Sequence, residues 1–146
     1  MSFYSIMFHA HSGLRWLILL LAVVLVVKSL IGLFGGGKYS KLDNILSASF
    51  VGFMHTQLLL GIYLYFTSSL VKTAFLDFGA AMKDSELRFW SVEHISVMIL
   101  AIVAAQGGRS IMKRASDDSV KFRFQAIFFG VSLLLMLFAI PWDRLG

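Results

Sequence analysis

The chain has 146 residues, 58% of them hydrophobic, with a mean hydropathy of +0.81 and a formal net charge of +5. A soluble domain this small does not carry so much apolar surface, so the composition points into the bilayer. With no Cys and a single Pro, disulfide scaffolds, Cys-based zinc sites, thiol redox pairs, iron–sulfur clusters and CxxCH haem attachment are excluded. In a membrane chain the positive charge reflects basic loops against anionic lipid, and no Lys/Arg-rich motif marks nucleic-acid binding.

The first predicted span covers residues 3–33, with its most apolar part from Trp16 to Val27 and a closing Lys28. No basic n-region precedes it and no small-residue cleavage site comes after it, so it reads as a retained helix and not a signal peptide. Gly35, Gly36 and Gly37 end it, and Asp43 or Asn44 is expected to cap the next helix. The second span covers residues 45–69 and contains His55 and Gln57. The connector at 70–87 mixes Lys72, Asp77, Lys83 and Glu86 with Phe75, Phe78 and Met82, which suggests interfacial helical turns. Asp84 or Ser85 would cap a third span at 86–106, ended by Gly107 and Gly108. A polar hairpin leads into a fourth span at 122–140, and Pro141-Trp142-Asp143-Arg144 lies near the end.

Four spans of roughly 20 residues joined by shorter connections predict an all-α, four-transmembrane-helix up-down bundle forming one domain, 1–146. Lys28, Lys38, Lys41, Arg109, Lys113, Arg114, Lys121 and Arg123 cluster around the one-to-two and three-to-four connections. Lys72, Lys83, Arg88 and Arg144 fall on the other side. That bias predicts both termini outside the cytoplasm.

The informative residues are the polar ones at membrane depth. Of the four histidines, His9, His11, His55 and His94, at least three lie within or at the edge of the spans and none lies in the polar loops. An ionisable group inside a bilayer costs roughly 3 kcal/mol on insertion scales, so partners must come from other helices or a cofactor. Counting at ~1.5 Å per residue places His11 and His94 at similar depth, with His55 roughly one turn deeper. Segments one and three are diagonal in a four-helix bundle, so an imidazole from each could ligate one haem iron from both faces, an arrangement suited to electron transfer. His55 is the third candidate ligand, or part of a second site; Gly52 and Ala48 on its face leave room for a flat ring on one side, while Leu59 and Ile62 are bulky on the other. Arg15 shares a helix face with His11 and could hold a haem propionate or pair with Glu93.

Weaker alternatives are a His/Glu metal cluster of His11, Glu93 and His94, and a proton relay at Glu93 and His94 acting on a quinone or porphyrin. Gln57 and Gln106 read as interhelical hydrogen-bonding groups. Segment four has no histidine and reads as a structural wall with Gln125 and Ser132 facing inward.

His11-Ser12-Gly13-Leu14-Arg15-Trp16, His55-x-Gln57 with Gly61 beyond it, Glu93-His94, and Ile140-Pro141-Trp142 together resemble a family of small four-helix bacterial membrane proteins catalogued as cytochrome b-like. The resemblance spans nearly the whole chain and implies an inner-membrane location and b-type haem. The expected function is single-electron transfer beside a quinone-linked, respiratory or photosynthetic membrane complex, with the lipid bilayer, other membrane subunits and quinone as partners. The competing expectation is a non-catalytic accessory subunit without haem of its own, and a stand-alone enzyme ranks last because no nucleophile–base pair, phosphate loop or hydrolase motif is present.

Overall fold

A computed structural model describes residues 1–144. Among the described residues it is all-α. Helix α1 (Phe3–Gly35), α2 (Lys41–Thr67), the unit formed by α5 (Ser85–Arg88), a π turn (Phe89–Glu93) and α6 (His94–Arg114), and α7 (Asp118–Ala139) are the long rods. All four are long and apolar enough to cross a membrane. The connector folds into α3 (Ser69–Leu76) and α4 (Phe78–Ala81), short helices in place of a free loop.

The rods form a ring in which α1 packs on α2 and α7, and α6 packs on α7 and α2. Helices α1 and α6 are therefore diagonal, as the up-down topology requires. A core of Ile18, Ala22, Leu25, Phe50, Met54, Ala101, Ala105 and Phe129 fills the centre. The Phe50 and Phe129 rings meet across the other diagonal at 4.9 Å between centroids. Small residues set the closest approaches. A Cβ on Gly32 would meet the Phe122 ring at 2.5 Å, and one on Gly108 would overlap Phe128 Cβ.

Three helix ends differ from the sequence reading. Ser40, and not Asp43 or Asn44, caps α2, and Asp43 closes a capping box from the third position. Helix α2 therefore begins at Lys41, ahead of the apolar run. Gly107 and Gly108 do not end α6, which continues to Arg114. Backbone groups at membrane depth need internal partners, so a helix runs on through glycine unless water can take over. Asp117 caps α7, which likewise starts before the apolar run begins. The glycines after α1 do act as expected: Gly36 is left-handed (φ 66°), and the Gly37 N–H donates to Gly32 O at 2.9 Å.

The polar side chains that α7 turns into the bundle are paired. Gln125, with no exposed surface, donates to Ser29 Oγ at 2.7 Å and accepts from Tyr39 Oη at 2.8 Å. Ser132 donates to Ala101 O at 2.8 Å. Both side chains of α7 face inward as the sequence suggests, and they tie the wall helix to α1 and α6.

Candidate functional site

The site lies at the end of the bundle carrying the N-terminus of α1, the C-terminal half of α2, the start of α6 and the end of α7. It begins with a helix defect. Within Phe89–Glu93 the backbone adopts a π pattern, and the His94 N–H reaches back to Phe89 O. A π turn inserts an extra residue and rotates the next part of the helix, so His94 is re-aimed relative to an unbroken helix. It also brings two aromatic rings to the imidazole, with centroids of Phe89 and Trp90 each 5.6 Å from that of His94.

The termination of α7 then fixes His94. Pro141 has no N–H and stops the helix, which strands its last carbonyls. Three carbonyls of this last turn have donors. The Ile140 N–H takes Met136 O, Trp142 Nε1 takes Leu137 O at 2.8 Å, and His94 Nδ1 meets Ala139 O at 2.8 Å. A carbonyl only accepts, so Nδ1 carries the proton and Nε2 keeps its lone pair. No hydrogen bond engages that Nε2 among the described residues. This is the tautomer a metal-ligating histidine adopts when its second nitrogen is oriented by a backbone carbonyl.

Across the bundle, α2 supports His11. Gln57 Nε2 donates to His11 O at 2.7 Å, and Gly61 lies under the His11 ring, where a Cβ would come within 3.3 Å of Cε1. His11, Arg15 and His94 are close enough for their charges to act on one another. The Arg15 guanidinium sits 4.9 Å from the centroid of the Trp16 ring, and Trp16 packs on Trp142. Three side-chain atoms here are buried without any hydrogen-bond partner: His11 Nδ1, Arg15 Nε and Gln57 Oε1. A stranded buried donor or acceptor costs about 1–3 kcal/mol. Three such atoms gather at one end of a small bundle, beside the Nε2 of His94.

The structure thus brings together His11, Arg15 and His94. It does not bring in His55, which faces outward on α2 with its Nε2 2.8 Å from Gln106 Oε1 of α6. The pairing of Arg15 with Glu93 is not formed, because Glu93 is exposed and lies 3.3 Å from Arg88 Nε. A His11–Glu93–His94 metal cluster is not formed either: among the described residues no three His, Cys, Asp or Glu side chains converge. Gln57 and Gln106 do bridge helices, as expected. Missed in the sequence were the π turn and the Ala139 carbonyl. The one available signal for the carbonyl was Pro141, which guarantees unpaired acceptors just before it.

These features define a multi-pass membrane helical bundle with His11, Arg15 and His94 grouped near one end. No family model, no curated protein and no solved structure matches the chain.

Proposed function

We propose that the protein is a small integral membrane b-type haem protein for single-electron transfer, with His11 and His94 as axial ligands and Arg15 on a propionate. The observation that carries this is the convergence of three partnerless buried atoms, on His11, Arg15 and Gln57, with the free Nε2 of His94. Haem, held by His11 and His94, would supply reversible one-electron chemistry. The chain's own residues do the holding. The Ala139 carbonyl fixes the tautomer and ring plane of His94. Gln57 clamps the His11 backbone, and Gly61 leaves room for the His11 ring. Phe89 and Trp90 set their rings against the His94 imidazole. Arg15, lacking any carboxylate partner among the described residues, offers a fork for a bidentate carboxylate contact.

The resemblance to cytochrome b-like proteins supports the same reading and carries with it a bacterial inner membrane as the proposed location. The Lys/Arg asymmetry supports termini and haem on the outer side, and the proposed electron donor is a quinol or membrane dehydrogenase. A second reading, an accessory subunit in a larger membrane complex, is favoured by the His55–Gln106 pair, which is exposed near the middle of α2 where lipid offers no polar partner.

The test is a reduced-minus-oxidised spectrum with a pyridine haemochrome assay on protein purified from haem-replete cells. The expected result is b-type bands at about one haem per chain, lost in His11→Ala and His94→Ala and kept in His55→Ala. Colourless wild-type protein overturns the proposal.

A further inference from the structure

The opposite end of the bundle, where α1 turns into α2 and α6 into α7, carries two adjoining grooves. One, of about 350 Å³, is lined by Tyr39, Lys41, Asn44, Lys113 and Lys121 among others. The second, of about 400 Å³, is lined by Gln106, Arg109, Ser110, Lys113 and Arg114. Lys113 belongs to both. Together they present five cations, and no carboxylate lines either.

The nearby acids are committed elsewhere. Asp43 is buried, 3.3 Å from Lys28 and bonded to Ser40. Asp117 accepts from the Ser119 N–H at 2.8 Å and caps α7, and Asp118 sits in that helix's first turn. The walls are organised before any ligand arrives. Arg109 is braced against α2 by bonds to Ser47 Oγ (2.9 Å) and Asn44 Oδ1 (3.2 Å), leaving further N–H donors on the guanidinium. Tyr39 is anchored by Gln125 and the Phe122 ring, and the Lys121 ammonium lies 5.4 Å from its ring centroid.

We propose that these grooves bind the headgroup of an anionic phospholipid, one phosphodiester in each, with Lys113 between them. Three observations select this ligand. Lys41, Lys113, Arg114 and Lys121 all sit at the ends of helices long enough to span the bilayer, which is headgroup level. Phosphate suits an acid-free cluster of lysine and arginine. Leu42, Ile45 and Ile111 are exposed on the same turns of α2 and α6, an apolar surface for acyl chains that free phosphate would leave unused. Two grooves sharing one cation favour a lipid with two phosphodiesters over one with a single phosphate.

The experiment is native mass spectrometry of the full chain in detergent, titrated with diphosphatidylglycerol, phosphatidylglycerol or phosphatidylcholine, with and without excess inorganic phosphate. Diphosphatidylglycerol is expected to be retained most, phosphatidylglycerol less, and phosphatidylcholine not detectably. Lys113→Gln is expected to weaken retention about fivefold. Lys72→Gln, on α3 at the other end, should leave it unchanged. Lys113 is exposed on the last turn of α6, so its variant keeps the fold, which circular dichroism checks. Equal retention of phosphatidylcholine, or an unaltered Lys113→Gln, overturns the proposal. Displacement of the lipid by inorganic phosphate would make this a free-anion site and overturn the lipid assignment. Haem content is read separately, because the histidine site lies at the far end of the bundle.

Discussion

The adjacent glycines of α6 give a sharp test of the packing that holds His94 against α7. An alanine at either position gains up to about 1 kcal/mol of intrinsic helix preference over glycine. Nothing lies within 4 Å of a Cβ on Gly107, so Gly107→Ala should keep that gain. A Cβ on Gly108 would overlap Phe128 Cβ and approach Cγ to 2.8 Å. The obstructing atom is bonded to the α7 backbone, so no rotamer change relieves it and the helices must separate. Overpacking of this kind costs about 1–3 kcal/mol. The net expectation is that Gly107→Ala is stabilising by a few tenths to about 1 kcal/mol and Gly108→Ala destabilising by about 1–2 kcal/mol. Reversible unfolding in mixed micelles, monitored by far-UV circular dichroism, measures both. If Gly108→Ala were as stable as Gly107→Ala, the close α6–α7 contact would be refuted.

Gly61→Val puts two methyls where a Cβ alone already comes within 3.3 Å of His11 Cε1, and should cut haem per chain several-fold with helicity unchanged. Full haem content in that variant would separate His11 from the site. Gln125→Leu strands the Tyr39 hydroxyl and removes the donor to Ser29, so it should cost about 1–3 kcal/mol in the same unfolding assay. Adding Ser29→Ala and Tyr39→Phe should recover part of the loss. Burial raises the Tyr39 phenol above its ordinary 10.0. The unfolded chain therefore releases that proton first, and stability falls as pH climbs past about 10. Tyr39→Phe should show a shallower alkaline decline than wild type, and parallel slopes would remove Tyr39 from the titration.

Much of the architecture was legible in the sequence because the bilayer is a demanding solvent. Long apolar runs had to be helices, and Gly35-Gly36-Gly37 had to end the first of them, since a left-handed residue suits glycine. The inward placement of Gln125 and Ser132 came from the same logic, because polar groups in a span seek protein partners. The boundaries were less legible. Apolar periodicity marks where a helix meets lipid, whereas α2 and α7 start at caps, Ser40 and Asp117, that sit in polar sequence. The site was half legible. Depth counting paired His11 with His94 and kept Arg15 beside them, but it assumed an unbroken helix and could not separate His55 from the set.

Sequence by itself determined that the chain is a four-span helical bundle and that its histidines belong to the spans, because hydropathy and length are local properties that lipid enforces. Only tertiary structure decided which histidines lie near one another. The π turn before His94, the carbonyl that Pro141 frees on Ala139, and the glycine beneath the His11 ring are features that act through encounters between distant segments. The same holds for His55, turned outward to Gln106 by the rotation of α2 against α6. Rotation about a helix axis is set by which side chains interlock across the bundle, and no single helix carries that information alone.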